Sequence, residues 1–575
     1  MNILLVNLTR FGDLLQSQAA ISALAGAGNA QAAAINTLTG AENAQTTGQQ
    51  AENKLALVCL NNFAFTSACL CGVSQTFPLP RSAFLSGLVK TSPDAENARW
   101  VSSLAELWHW RNSLWSQFKP DLVCNLTPTV PARLLAHYLA GGVPLTGFGL
   151  DAFGFAQEGS WAAFLRASTA SRFASPFNVI DLFRAVAGKS TGRFQDALLA
   201  PRPWFGVSAA RAGLASALGE AAGHDFAATH KGFVGFQLGA SAQERRWPLE
   251  YFVRLGQELW RKLRVVPVLL GSKAESELAE RYAQINNSAS SRSDPHAASP
   301  FISLSGKTDP GELADTLKNC LLLVSNDTGT LHLAAGLSCP CLGIFLATAQ
   351  PWDTGPGLEG SCSLEPDLDC HPCRFGSGCP HDFRCRETIS PELVCALIEK
   401  FLTSGSWPAI TGQARVWLTR RDENNFFYLT SLSGHEQAPR TLWFMRQRFF
   451  LRQFLDRNPA AEFVLDAAQD NSGEKFALPL AEKEKIAADL DLLEAQLGLV
   501  LELGKLLALN PAPRLRERFL SAVRRVGLLF ENSAYFLALG FLWQVQVQEQ
   551  GGELQQALRC ITQYQSLIRS LKIIP

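Results

Sequence analysis

The stretch Leu321-Leu-Leu-Val-Ser-Asn-Asp-Thr-Gly-Thr-Leu-His-Leu-Ala-Ala-Gly336 contains the strand and helix signals from which the fold of this chain is inferred. The apolar run Leu321–Val324 predicts a fully buried strand, and a helix is predicted to begin at Thr328 or Gly329. A helix start leaves backbone N–H groups without intrahelical partners, and with the helix dipole they can bind phosphate. Gly329 would let a ligand approach the backbone closely. The alternative is an ordinary cap on a core helix, and this stretch alone leaves both open.

The same alternation of strand and helix recurs along most of the chain. Apolar strands are predicted at Leu55–Leu60, Phe233–Leu238 and Val265–Leu270, and each is followed by a helical segment. Strands that alternate with helices form parallel sheets with right-handed crossovers. Polar turns rich in Gly, Ser and Lys follow several strands of the second half, which favours a nucleotide-diphosphate pocket. We therefore predict an α/β protein with two successive Rossmann-like domains that face a cleft.

Composition sets the class of protein. The chain has 575 residues, of which 47% are hydrophobic and 18% charged, so it can bury several cores. The 51 basic and 51 acidic residues cancel, which argues against nucleic-acid binding driven by bulk charge. The N-terminal run Met1–Arg10 has no basic segment before its apolar residues and predicts a first strand rather than a signal peptide. No stretch is apolar enough for a spanning helix, and we expect a cytoplasmic protein.

Changes in composition divide the chain into three parts. We predict a first α/β domain at residues 1–205, a second at 206–405 and a mainly helical extension at 406–575. Residues 26–53 contain almost no large apolar side chain and are predicted to be a flexible insertion. The sequence does not define a role for the extension.

Asp13 follows the predicted first strand, at the end of the turn Thr9-Arg-Phe-Gly-Asp13. A carboxylate just beyond the carboxyl end of a parallel strand lies where open α/β sheets bind ligands. The alternative is that Asp13 caps the helix that follows, an interaction worth about 1 kcal/mol. Its position alone favours the cap.

Four cysteines form a dense cluster, C-x2-C-x5-C-x5-C, between residues 370 and 385. Four thiolates at this spacing suit a tetrahedral Zn or Fe site, and His371 and His381 are alternative ligands. The competing interpretation is four reduced, unliganded thiols, or disulfides in an oxidising compartment. A closed four-cysteine site has no open position for catalysis, so the predicted metal is structural. The cysteines are Cys370, Cys373, Cys379 and Cys385.

Three motifs together resemble glycosyltransferase family 9, the bacterial ADP-heptose heptosyltransferases. They are Arg-Phe-Gly-Asp13, Gly239-Ala-Ser with Arg245-Arg-Trp-Pro, and Asp327-Thr-Gly with His332. The resemblance covers residues 1–405, and the order and spacing of the motifs matter more than any one of them. It implies a GT-B fold in which the first domain binds the acceptor and the second binds the nucleotide sugar. It also implies inversion at the anomeric carbon without a catalytic metal.

The resemblance implies a role for each matching residue. Asp13 matches the general base that takes the proton of the acceptor hydroxyl. The matching donor-binding residues hold the pyrophosphate, except that Asp327 would contact the heptose hydroxyls and His332 would face the same ligand from one turn further along the helix. Without the resemblance, a histidine in the context Thr-Leu-His332-Leu-Ala-Ala is more often a core residue whose hydrogen bonds are satisfied. These donor-binding residues are Ser241, Arg245, Asp327, Thr328, Gly329 and His332.

One departure concerns the nucleoside. Family members commonly carry an acidic residue after the strand that here ends at Gly271, and this chain has Lys273 near that place. Glu275 is the candidate substitute. The departure leaves the donor open between ADP-heptose and another nucleotide sugar.

The predicted function is transfer of heptose from ADP-heptose to a lipopolysaccharide inner-core acceptor at the inner face of the membrane. One alternative is transfer to a protein. The four-cysteine cluster resembles that of the autotransporter heptosyltransferases, a subset of the family with a cysteine-bound iron. Another alternative is a catalytically silent GT-B scaffold. Five arginines in the extension are compatible with peripheral contact with anionic lipid, although an isolated basic run favours protein contact or a solvated face. They are Arg514, Arg516, Arg518, Arg524 and Arg525.

Overall fold

The computed structural model describes nine ranges of the chain: 1–26, 53–80, 93–170, 172–188, 230–290, 299–412, 414–457, 478–548 and 554–573. Most of the predicted insertion and the predicted boundary at residues 205 and 206 lie outside the described residues. The chain divides into two compact units. The first comprises Met1–Gly147 and Asn178–Ser433, and the second comprises Phe148–Phe177 and Gly434–Pro575.

Strands and helices alternate through the first unit, as predicted. The strands, numbered in chain order over both units, are β1 (Asn2–Val6), β2 (Lys54–Leu60), β3 (Val73–Leu79), β4 (Leu122–Asn125), β5 (Leu145–Gly147), β6 (Gly149–Leu150), β7 (Ala156–Gln157), β8 (Gly232–Gln237), β9 (Val265–Leu270), β10 (Ile302–Ser303), β11 (Cys320–Asn326), β12 (Cys341–Ile344), β13 (Cys362–Pro366), β14 (Ala414–Arg421) and β15 (Phe427–Ser431).

The helices are numbered in the same way. They are α1 (Phe11–Gln16), α2 (Gln18–Ala25), α3 (Pro93–Gln117), α4 (Val130–Ala140), α5 (Ser160–Ala170), α6 (Val179–Val186), α7 (Leu249–Leu263), α8 (Ser276–Ser290), α9 (Pro310–Asn319), α10 (Gly329–Gly336), α11 (Pro351–Thr354), α12 (Pro391–Ser404), α13 (Pro439–Asp456), α14 (Leu480–Leu509), α15 (Pro513–Asn532), α16 (Leu537–Trp543) and α17 (Leu554–Ile573). Short 3-10 helices cover Asn61–Cys69, Arg172–Ala174, Gln243–Arg245, Lys273–Glu275 and Arg384–Arg386, and Gln544–Gln548 is a π-helix.

The first sheet is parallel throughout and has the order β3-β2-β1-β4-β5. Its central strands are continuous apolar runs, which is typical of parallel strands covered on both faces, and Leu4, Val58 and Val123 are fully buried. The chain order reverses between β1 and β4. The turns after these two strands therefore form a topological switch point, the place where open α/β sheets bind ligands.

The second sheet has the order β10-β9-β8-β11-β12-β13-β14-β15 and is parallel from β10 to β13. Its core contains Phe236, Leu269, Val324 and Leu342, all fully buried. Its switch point lies between β8 and β11. The predicted α/β architecture with two Rossmann-like sheets, the plan of the GT-B fold, is confirmed.

The second sheet continues beyond the predicted boundary at residue 405. β14 and β15 form a hairpin that pairs antiparallel with β13, so the start of the helical extension at residue 406 is corrected to Gly434. Helix α6 also holds this hairpin. Asp181 accepts a hydrogen bond from the Phe427 nitrogen (2.8 Å), and Arg184 donates to the Asn425 carbonyl oxygen (2.8 Å). The predicted division of the chain at residue 405 did not include this hairpin in the second sheet.

The second unit is mainly helical, as predicted for the extension. It contains helices α13 to α17 and also α5 with the small hairpin β6-β7, which were predicted to belong to the first domain. Its core is aromatic, with Phe454, Trp543 and Tyr564 fully buried and packed edge to face. In the described part of the chain, every helix is too short or too polar to cross a bilayer.

Candidate functional site

Asp13 lies in the first turn of α1, at the carboxyl edge of the first sheet. The helix begins at Phe11 with Arg10 as its N-cap, and no side chain caps it. Asp13 is therefore the third residue of the helix, and the alternative prediction that it caps the helix is wrong. The residue is half-buried, and its charge is favoured by the helix dipole.

The turn that carries Asp13 is in backbone contact with the turn that carries Gly329. A Cβ atom at Gly329 would overlap the Phe11 ring and lie 3.3 Å from the Gly12 nitrogen. A Cβ atom at Gly12 would lie 3.3 Å from the Gly329 Cα. Only glycine at both positions lets the starts of α1 and α10 come this close. The switch points of the two sheets therefore meet, and Asp13 lies beside the amino end of α10.

The amino end of α10 has the features predicted for an anion site. The helix begins at Gly329, Thr328 is its N-cap, and no side chain caps it. The first N–H groups of a helix have no intrahelical acceptor, so they can bind a negatively charged ligand. His332 is buried in the next turn, and a Cβ atom at Gly12 would lie 3.4 Å from its Cδ2. His332 thus lies at the contact between the two turns.

Arg245 connects the loop after β8 to the turn after β11. Its guanidinium forms an ion pair with Asp327 and donates from Nη1 to Ser241 Oγ at 3.1 Å. Its Nε is buried and has no hydrogen-bond partner among the described residues. Three of the predicted donor-binding residues are therefore in direct contact. The arrangement places a largely buried cation, with one N–H group unused, at the second switch point.

Asn326 was not predicted as a site residue, although it determines the shape of this edge. Its side chain is fully buried and donates to the carbonyl oxygens of Gln237, Leu238 and Gly239 at 3.3, 3.0 and 3.1 Å. Its Oδ1 accepts from the Trp247 nitrogen at 2.9 Å. A buried polar residue at the end of a central strand must find partners, which is the signal that could have identified it. The sequence does not reveal which groups form hydrogen bonds with Asn326.

Glu275 and Lys273 lie one strand away, after β9. The Glu275 carboxylate accepts from the Ser272 nitrogen (2.7 Å) and hydroxyl (2.9 Å) in a capping box. A Cβ atom at Gly239 would overlap this carboxylate, so Glu275 is packed against the loop after β8. Lys273 is exposed and lies against Gly306. Of the two nucleoside candidates, only Glu275 is thus in contact with the Ser241 loop.

The four cysteines lie in the loop between β13 and α12, near enough for their thiols to interact. Burial, and then the thiols of Cys385, Cys370 and Cys379, raise the pKa of Cys373 to about 11. The Cys379 sulfur accepts a hydrogen bond from the Phe383 nitrogen at 3.3 Å, and Ala347 gives Cys385 a backbone hydrogen bond that lowers its pKa, although burial raises it overall. As the described side chains stand, no three Cys, His, Asp or Glu residues are arranged to hold a metal ion.

The alternative histidine ligands do not fit the predicted metal site equally. His371 is buried, with Nε2 3.0 Å from the Ala349 carbonyl oxygen and Nδ1 3.4 Å from the Glu365 carboxylate. Both ring nitrogens therefore already face other groups, and His371 as a ligand is wrong. His381 is exposed.

The cysteine loop also supports the loop after β8. Just beyond Cys385, Arg386 donates to the Arg246 carbonyl oxygen at 2.9 Å. The buried Trp247 indole donates to the Ile389 carbonyl oxygen at 2.8 Å. Arg246 and Trp247 directly follow Arg245, so the end of the cysteine loop helps to fix the position of that cation.

Comparison with known proteins identifies part of this chain. A sequence profile of glycosyltransferase family 9 (heptosyltransferase) matches residues 202–375. The chain is 32% identical over 115 residues to lipooligosaccharide heptosyltransferase 2 of Haemophilus ducreyi, which covers 20% of this chain and 31% of that protein. It is 31% identical over 141 residues to lipopolysaccharide heptosyltransferase 1 of Pseudomonas aeruginosa, covering 24% and 36%. The matches thus span about a third of these curated relatives.

Among solved structures, E. coli ADP-heptose lps heptosyltransferase II aligns with 70% of this chain and 99% of its own, at 15% identity and a TM-score of 0.46. The profile match is the more informative result, because it contains the Ser241 loop and the Asp327–His332 motif. The match of residues 202–375 to the family 9 profile agrees with the resemblance that the motifs predicted for this part of the chain.

Proposed function

We propose that this protein is an inverting glycosyltransferase that transfers heptose from ADP-heptose to a lipopolysaccharide inner-core acceptor. The observation that carries the proposal is the backbone contact between Gly12 and Gly329. It brings the turn that carries Asp13 against the start of α10, whose free N–H groups would bind the donor diphosphate. A transfer between two bound substrates needs a base and a donor site at this kind of junction.

In this proposal the donor diphosphate binds at the amino end of α10. The N–H groups at Gly329 and the Thr328 and Ser241 hydroxyls donate to its oxygens, and Arg245 adds a fixed positive charge. As the glycosidic bond breaks, negative charge grows on the departing ADP. A cation held in place by Asp327 stabilises that charge without having to reorganise. Asp327 would also contact the sugar hydroxyls, and Glu275 is the candidate contact for the nucleoside.

Asp13 acts on the other substrate. Its carboxylate accepts the proton of the acceptor hydroxyl while that oxygen attacks the anomeric carbon from the face opposite the diphosphate, which inverts the configuration. His332, at the junction of the two turns, would face the donor. The mechanism has no step that requires a metal or an organic cofactor.

Two other functions compete with this proposal. The donor chemistry would be the same if the acceptor were a protein, an alternative favoured by the four-cysteine loop. A silent scaffold is disfavoured by a carboxylate at residue 13 together with the Arg245–Asp327 pair, since a scaffold needs neither.

Acceptor identity is tested with purified protein, ADP-heptose and two acceptors, heptose-deficient lipopolysaccharide and a mixture of cell proteins. Mass spectrometry of the products should show a heptose added to the lipopolysaccharide. Heptose added only to protein would show that the acceptor is a protein and not lipopolysaccharide. No addition to either acceptor would contradict transferase activity.

We also propose that the four cysteines bind a structural Zn or Fe ion. Two of the four sulfurs accept backbone N–H groups, which stabilises thiolates, and the donor set is the soft one that these metals prefer. The ion would hold the loop that supports Arg246 and Trp247. Purified protein should contain about one equivalent of Zn plus Fe, and less than about half an equivalent would contradict the site.

The proposed acceptor requires the enzyme to work in the cytoplasm, at the inner membrane surface. Helix α15 offers a contact for it, because its five arginines are exposed beside Leu520 and Leu528, which are 42% and 56% exposed. Exchanging Arg524 and Arg525 for Glu should reduce cosedimentation with anionic vesicles. Unchanged cosedimentation would rule out this helix as the contact.

A further inference from the structure

The helical unit contains a cavity of about 260 Å³ that the proposed transfer does not use. Its walls come from α13, the start of α14, the end of α17 and the segment before α16. Most of the lining side chains are apolar, and three are cationic. The lining includes Trp443, Lys483, Ala487, Leu490, Phe536 and Lys572.

The wall of the cavity is rigid and apolar. Trp443 and Phe536 are buried and packed edge to face, with ring centroids 5.4 Å apart. The Trp443 indole N–H is satisfied by the Tyr535 carbonyl oxygen at 2.7 Å, so the ring contributes only its apolar surface to the cavity. Ile486 and Leu490 add buried aliphatic surface from α14. Such a wall recovers dispersion contacts when it packs against an apolar chain.

One cation of the lining lies at the start of α14, where the neighbouring Glu482 is bonded to Lys485 and Tyr535. Lys483 lies in the first turn of this 30-residue helix, and Pro479 at the N-cap provides no side-chain cap. Within the described part of the chain, the Lys483 ammonium has no ion-pair partner. Lys572 differs, because Asp491 and Glu494 both bind its ammonium at 2.6 Å. Lys483 and the helix dipole therefore form the part of the cavity that is suited to an anion.

We propose that this cavity binds a single-chain amphiphile with an anionic head, such as a fatty acid or an alkyl phosphate. The tail packs against Trp443, Phe536 and Leu490, and the head binds Lys483 at the start of α14. A free phosphate or a nucleotide would leave the apolar wall unpaired, and a neutral or cationic amphiphile would leave Lys483 without an acceptor.

The experiment uses the full-length protein and isothermal titration calorimetry with dodecanoate and dodecyl phosphate, both below their micelle concentrations. We expect saturable binding with one site per chain. Dodecyltrimethylammonium, with the same tail and the opposite charge, should bind at least about tenfold more weakly. The ratio of the two anionic affinities distinguishes a carboxylate from a phosphate head.

Two neighbouring alanines of α14 provide a matched pair of variants. Ala487 and Ala488 are both exposed, but only Ala487 lines the cavity. Ala487→Trp should fill the cavity and weaken dodecanoate binding at least about tenfold, whereas Ala488→Trp should bind like the wild type. Lys483→Gln should weaken anion binding about fivefold and leave dodecanol binding unchanged.

Three results would overturn the proposal. They are the absence of saturable binding, equal affinity for the anionic and cationic amphiphiles, and wild-type affinity in Ala487→Trp. If Ala487→Trp fails to fold, judged by a thermal midpoint below that of Ala488→Trp, the Lys483→Gln comparison decides. None of these measurements depends on glycosyl transfer, so the two proposals fail separately.

Discussion

The turns after β1 and β11 occupy equivalent switch points and touch each other, yet the asparagine at each turn is used differently. Asn7 bonds within its own turn, where its Oδ1 accepts from the Thr9 nitrogen at 3.2 Å and hydroxyl at 2.6 Å. Asn326 bonds to residues 79 to 89 positions away in the chain. The asparagine on the donor side thus joins two loops through a buried network, whereas, among the described residues, the Asn7 side chain bonds only within its own turn. A long-range bond of that turn runs instead from the Leu8 nitrogen to the Thr127 hydroxyl (2.8 Å). The long-range bonds of Asn326 suit a donor diphosphate site that must stay fixed. Asp13, on the opposite turn, has to reach the hydroxyl of the bound acceptor.

The largest effect is expected when the two turns are forced apart. In Gly329→Ala the new Cβ would overlap the Phe11 ring and press on the Gly12 backbone, so transfer should fall at least about 100-fold, because a displacement of about 1 Å is enough. Gly12→Ala should have a smaller effect, since its Cβ meets its neighbours at 3.3 Å. Steady-state kinetics provide the measurement. Gly378→Ala, where no atom lies within 4 Å, is the control, and wild-type turnover in Gly329→Ala would disprove the contact.

The next effect comes from removing the long-range network. Asn326→Ala leaves three carbonyl oxygens and the Trp247 N–H without their partner, so the free energy of unfolding should fall by about 2–4 kcal/mol. ADP should bind roughly 30-fold more weakly, because the loop that carries Ser241 and Arg245 loses its anchor. Urea unfolding and calorimetry measure the two effects. Unchanged ADP affinity would mean that the network does not shape the donor site.

Arg245→Gln removes one cation from the donor side without disturbing Asn326. ADP affinity should fall about tenfold, and its dependence on salt should weaken, since a charge-assisted contact to phosphate is lost. Arg254 is a suitable control because it is an exposed arginine paired with Glu392. Arg254→Gln should bind ADP like the wild type. Equal effects of the two substitutions would indicate only a change in net charge.

The smallest effect is expected from the local turn. Asn7→Ala removes two short-range hydrogen bonds and should lower the free energy of unfolding by about 1 kcal/mol. ADP affinity should stay within about twofold of the wild type, because no bond from Asn7 reaches the donor loops. If Asn7→Ala lowered the affinity for ADP as much as Asn326→Ala, the two turns would not differ in their effect on the donor site.

Elements with strong local signals are the most readable from the sequence. Strand β9 has the predicted bounds. Helices α6, α7 and α9 start at an Asn178 cap, at Pro248 and at a capping box of Asp309 with Glu312, which are local signals. Non-local pairing was not predictable in this way. Strand β13 was missed because it contains Ser363 and Glu365, whose burial depends on partners elsewhere, such as the Trp417 indole that donates to Glu365.

The candidate site shows the same division. Motif spacing identified Ser241, Arg245 and Asp327, which the fold brings into contact. Asn326 looked like one more polar turn residue between a strand and a helix. Its importance comes from carbonyl groups on a strand and loop more than 80 residues earlier, which no local pattern encodes.

The central claim is that Asp13 is the base at the junction of the two turns. The most direct test is turnover of Asp13→Asn together with its affinity for ADP, because the amide keeps the shape of the carboxylate but cannot take up a proton. We expect transfer to fall at least about 1,000-fold, with the dissociation constant for ADP within about twofold of the wild type. Wild-type turnover in Asp13→Asn would contradict the mechanism.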